Sequence, residues 1–66
     1  MTVQATYGNY EGRPVWKFRM FGQEIVPLPQ RASIVSSNAV LAREAQRAAD
    51  TIGVKLPSKW DLVVRR

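Results

Sequence analysis

The sequence predicts an α+β fold: a small antiparallel three-stranded β-meander packed against one main α-helix, with a short C-terminal helical turn or strand. Three observations carry this. Aromatic and β-branched residues dominate up to Val26 and alternate with polar ones at a period of two. Glycine-containing pairs, Glu11-Gly12 and Gly22-Gln23, punctuate that half. Beyond Ser37 alanine takes over and apolar residues recur at helical spacing. The character of the chain changes once, between Pro27 and Ser33, so one domain is expected across 1–66: a meander over 2–28, a linking arm over 29–37, a helix over 38–53 and a C-terminal segment over 54–66.

In the first strand Val3, Ala5 and Tyr7 alternate with Thr2, Gln4 and Thr6. Glu11-Gly12 then forms a turn, with Gly8-Asn9 a second turn candidate just upstream. Pro14 has no N–H to give a ladder, so the next strand becomes central only from Val15. Over Val15–Phe21 it places Trp16, Phe18 and Met20 on one face and Val15, Lys17, Arg19 and Phe21 on the other. Gly22-Gln23, with glycine first, has the composition of a type II′ hairpin loop. That loop sets Phe21 opposite Glu24, Met20 opposite Ile25 and Arg19 opposite Val26. Pro27 and Pro29 end the strand.

Ser36, Ser37 and Asn38 are all good helix N-caps. The stretch that follows, through Ile52, has no Gly or Pro and is rich in strong helix formers. Leu41, Ala45, Ala48 and Ile52 form an apolar stripe, widened by Val40 and Ala49. Gly53 suits a left-handed C′ position, with Val54 as the apolar contact behind it. A stripe made mostly of alanine implies close approach to the sheet, opposite the bulky Trp16/Phe18 face. After Leu56-Pro57, Ser58 with Asp61 three residues on suggests a capped helical turn over Ser58–Leu62. A fourth strand through Trp60–Val64 is the alternative, since Val63-Val64 favours β structure.

Composition removes most chemistry. With no Cys there is no disulfide, thiolate nucleophile or cysteine-held metal. With no His the usual general base is missing. Glu11, Glu24, Glu44, Asp50 and Asp61 show no metal-ligand spacing, and Ser33, Ser36, Ser37 and Ser58 have no histidine to activate them. The four glycines lie at turn-like positions and form no phosphate cradle. The expectation is a non-enzymatic protein without cofactor or metal. No apolar run reaches the 18 or so residues of a membrane span, and the first residues lack signal-peptide features, so a cytoplasmic location is the default.

Ten basic against five acidic residues leave a net charge of +5, which favours anionic partners. Size scaling gives a folded surface of roughly 4,200 Å², about 60% of the extended chain's surface being buried. Apolar burial then stabilises by on the order of 100 kcal/mol, nearly matched by an ordering cost of about 1.5 kcal/mol per residue. So marginal a chain is expected to work with a partner.

The first functional expectation is a small basic accessory subunit that docks on a larger protein assembly. Its interface residues would be Trp60, Leu28, Ile34 and Val35, because Trp is enriched in binding hot spots and the Val26–Ser37 arm has no regular period. The alternative is a nucleic-acid-binding or regulatory protein. There Arg13, Lys17 and Arg19 neutralise phosphates beside Phe21, with Arg43, Arg47, Arg65 and Arg66 as further contacts. A second copy of the chain is also a candidate partner.

Overall fold

The computed structural model describes all residues, Met1–Arg66. The chain runs β1 (Thr2–Tyr10), β2 (Arg13–Met20), β3 (Gln23–Ile25), α1 (Asn38–Thr51) and β4 (Asp61–Arg65). The four strands form one mixed sheet in the order β3-β2-β1-β4, and α1 covers one face. The fold class is therefore α+β, with the expected antiparallel meander at its centre and a fourth strand added. The accessible surface, 4413 Å², lies close to the value that size scaling predicts.

β1 and β2 pair antiparallel from Tyr10↔Arg13 to Gln4↔Arg19. Their turn is Glu11-Gly12, both at positive φ (52° and 78°), as a type I′ hairpin loop requires. Gly8-Asn9 is not a turn, because β1 continues through it to Tyr10. The second hairpin departs from the expected register. Phe18 faces Ile25, Arg19 faces Glu24 and Met20 faces Gln23. The loop is thus Phe21-Gly22, again with both residues at positive φ (50° and 71°), so glycine takes the second position of a type I′ turn. The pairing moves by two residues, which leaves Ile25 on the same face as Phe18 and Met20.

The inner face buries Val3, Ala5, Trp16, Phe18, Met20 and Ile25 against Leu41, Ala45, Ala48 and Ala49 of α1. Alanines at the contact let the helix backbone lie close over the aromatic rings. Ser37 is the N-cap, its hydroxyl accepting from the Val40 N–H at 3.2 Å. At the other end Gly53 N–H donates to the Asp50 carbonyl and Val54 N–H to the Ala49 carbonyl, a complete Schellman motif with Gly53 at φ 74°. Buried Glu44 is the one polar member of this helix face, and it takes a 2.6 Å ion pair from Arg47.

The C-terminal segment is a strand, so the helical turn over Ser58–Leu62 does not form. β4 instead lies parallel to β1, from Thr2↔Asp61 to Thr6↔Arg65. Alternate residues explain the outcome: Leu62 and Val64 extend the apolar inner face beside Val3 and Ala5, a burial that one helical turn would forgo.

The Val26–Ser37 arm is fastened to its own chain. Gln30 uses its side-chain amide like a short piece of strand, accepting from the Trp16 N–H at 2.8 Å and donating to the Trp16 carbonyl. The Trp16 indole N–H donates to the Ser33 carbonyl, also at 2.8 Å. Arg47 donates to the Pro29 carbonyl at 3.1 Å, and Arg66 donates to the carbonyls of Ile34 and Ser36. Pro14 fits the same edge. Successive N–H groups alternate sides along a strand, so its missing N–H lies on the side where Gln30 meets Trp16, beyond the end of β3.

Candidate functional site

Period-two alternation gives the sheet an outer face opposite α1. The ladders set Gln4 between Arg19 and Val63 on it, and Thr6 between Lys17 and Arg65. Tyr10 and Arg13 pair at the far end of the same hairpin. Four basic residues, Arg13, Lys17, Arg19 and Arg65, therefore share one face, although the last is remote from the others in sequence. Lys17 and Arg65 stand two strand spacings apart, about 10 Å, with Thr6 between them. From Arg13 to Arg19 the row runs about 20 Å along β2.

The face is open. Arg13, Arg19, Arg65, Thr2, Thr6 and Tyr10 are all exposed. Lys17 is half-buried, its stem lying across Gly8 with Cε 3.8 Å from where a Gly8 Cβ would stand. Val15 is the exception, being 3% exposed on the same side. Carboxylates occur only at the margins: Glu24 opposite Arg19 on the edge strand β3, Asp61 at the start of β4, and Glu11 in the turn between Tyr10 and Arg13. The centre of the face is positive and hydrogen-bonding, with Gln4 and Thr6 among the cations.

The structure divides the other predicted residues. Phe21 sits at the hairpin tip, 48% exposed and at φ 50°, a backbone region that bulky side chains rarely adopt. Trp16 and Phe18 are completely buried. Arg43 and Arg47 lie on α1, in the opposite layer, and Arg47 is engaged by Glu44 and Pro29. Arg66 points inward, opposite in direction to Arg65, and its guanidinium lies 5.8 Å from the centre of the Trp16 ring. Arg47 and Arg66 thus fasten the arm, through the carbonyls of Pro29, Ile34 and Ser36.

Of the residues expected at a protein interface, Leu28 and Ile34 are each 45% exposed and Val35 is 83% exposed. Trp60 is half-buried and packs against the core as a lid. Beside it, between the end of α1 and the segment before β4, an open cleft of about 240 Å³ has Gln46, Asp50 and Lys55 on its walls. That is smaller than most small-molecule sites. No three carboxylates gather in a metal-binding cluster, and no helix is long and apolar enough to cross a membrane.

Tyr10, Gln4 and Thr6 are members of the outer face that the sequence did not single out. The alternation through β1 carried that signal, since Gln4 and Thr6 stand opposite in phase to Val3 and Ala5. No protein family, curated protein or solved structure matches this chain.

Proposed function

We propose that the protein is a non-enzymatic binding module whose outer sheet face takes a single-stranded nucleic acid. The observation that carries this reading is the sharing of one open face by Arg13, Lys17, Arg19 and Arg65, with carboxylates confined to its margins. Cations spaced along a strand neutralise successive phosphates, while Gln4 and Thr6 supply hydrogen bonds between them. Tyr10, exposed beside Arg13, and Phe21, exposed at the other end, offer aromatic plates on which unpaired bases stack. An open sheet face suits a splayed single strand better than the groove of a duplex.

The test is fluorescence anisotropy with a labelled oligo-dT and with a duplex of the same length. Four neutralised phosphates on a single strand give a log–log salt slope of roughly −3. Arg19→Glu weakens binding strongly, whereas Arg43→Glu, an equal charge change on the opposite layer, leaves it nearly unchanged. Absence of binding at about 50 mM salt, or equal losses from the two substitutions, overturns the reading.

A second reading rests on Leu28, Ile34 and Val35, three large apolar side chains exposed on an arm whose backbone is tied down. These fit an accessory subunit that docks on a larger protein assembly through a preordered arm. A discrete protein complex that survives nuclease and about 500 mM salt, and is lost on Val35→Asp, supports it over the first.

A further inference from the structure

The outer edge of β4 has no strand beside it. Asp61 N–H donates to the Met1 carbonyl at 2.8 Å. In a parallel ladder Asp61, Val63 and Arg65 therefore turn their backbone groups toward β1, and Leu62 and Val64 turn theirs outward. The other edge of the sheet is closed off differently: β3 has three residues, and Gln30 covers Trp16 beyond it. Natural edges are commonly blunted by Pro, Lys, a bulge or an inward charge. The β4 sequence Asp-Leu-Val-Val-Arg has no Pro, Lys or bulge, and its two charged side chains, Asp61 and Arg65, are of opposite sign, so that they repel a strand of like pattern only in the wrong register.

From its charge pattern we infer that β4 pairs antiparallel with β4 of a second copy, about a two-fold axis at Val63, joining the two sheets into one. The register follows from two conditions. Outward-facing Leu62 and Val64 must meet outward-facing residues of the other copy, and the charges must not clash. Pairing centred on Val63 sets Leu62 opposite Val64 at both ends, a hydrogen-bonded pair in which each residue both donates and accepts. It also sets Asp61 opposite Arg65, twice, at positions where side chains approach closely. Centring on Leu62 would bring Arg65 against Lys59, two like charges. Centring on Val64 would leave Asp61 without a cation opposite. Only the Val63 register is complementary throughout.

Cross-strand neighbours share a face, so the two outer faces lie on the same side of the joined sheet. Val63, 38% exposed in the single chain, meets its counterpart at the axis. Each Arg65 then has a carboxylate neighbour, as Arg19 already has in Glu24, and the cations of the joined face with no carboxylate opposite are Arg13 and Lys17 of both copies. The inference does not rest on what that face binds.

Sedimentation equilibrium of nuclease-treated protein tests it, from about 10 µM to about 1 mM in about 150 mM salt. The mass rises with concentration from 7.5 kDa toward twice that value. Asp61→Arg and Arg65→Asp each weaken association roughly ten-fold by placing like charges opposite one another, and the double swap D61R/R65D restores it. Amide exchange at Leu62 and Val64 of the unaltered chain slows as concentration rises, a readout that needs no variant to fold. A monomer at every concentration, a dimer indifferent to both single swaps, single losses that the double swap leaves unrepaired, or concentration-independent exchange each overturns the inference.

Discussion

The Gln30 side-chain amide completes the ladder of β2 by pairing with both backbone groups of Trp16, accepting from its N–H and donating to its carbonyl. The residue at the centre of the core thus has its ring held by the inner face, its indole N–H by Ser33 and its backbone by Gln30. A three-residue edge strand suffices because one side chain supplies the missing pairing. The arm that contributes Gln30 is thereby made part of the sheet edge.

Replacing Gln30 with Leu removes both bonds and leaves a partly buried N–H and carbonyl unpaired, which costs about 1–3 kcal/mol. In urea the midpoint falls by about 1 M or more, with the slope unchanged. Gln30→Glu is also destabilising, because a carboxylate accepts from the N–H but repels the carbonyl.

Arg66 acts more locally. Its guanidinium bridges the Ile34 and Ser36 carbonyls and lies over Trp16, a geometry that the ammonium of lysine does not reproduce. Arg66→Lys loosens the arm and raises amide exchange over Ile34–Ser36 by roughly five-fold, with little change in the global unfolding midpoint. A uniform rise in exchange across the sheet would instead make Arg66 a determinant of the whole fold.

Phe21 carries a stability cost with little burial in return, since it holds φ 50° while 48% exposed. Phe21→Asn places the favoured Asn-Gly pair in the type I′ turn and stabilises the protein by about 1 kcal/mol. The same change lowers oligo-dT affinity about five-fold or more if the ring stacks a base. Affinity that stays constant while stability rises removes Phe21 from the binding face.

The alanine stripe sets the distance between α1 and the sheet. Ala45 is fully buried there, so Ala45→Leu overpacks the layer and costs about 1–3 kcal/mol. For a domain of this size each kcal/mol lowers the melting temperature by about 4–8 °C. Ala39→Leu, on the exposed first turn of α1, changes stability by only about 0.5 kcal/mol in either direction.

Local patterns determined much of this protein by themselves. Period-two alternation assigned Trp16, Phe18 and Met20 to one face and Lys17 and Arg19 to the other, and the cap candidates Ser36, Ser37 and Asn38, with Gly53 and the alanine stripe, delimited and oriented the helix; the structure chose Ser37 among the three. Each of these signals lies within a few residues, where backbone geometry and side-chain sterics act directly. Buried Glu44 escaped that reading, because Arg47 accommodates it through an ion pair that periodicity does not encode. The tertiary structure alone decided the partner of Val63-Val64, the fastening of the arm and the opposite fates of Arg65 and Arg66. These depended on which strand edge was open and on hydrogen bonds between distant residues, such as Arg66 to Ile34. Once β4 lay against β1, alternation did the rest: Arg65 joined Lys17 and Arg19 on the open face, and Arg66 turned inward onto Trp16.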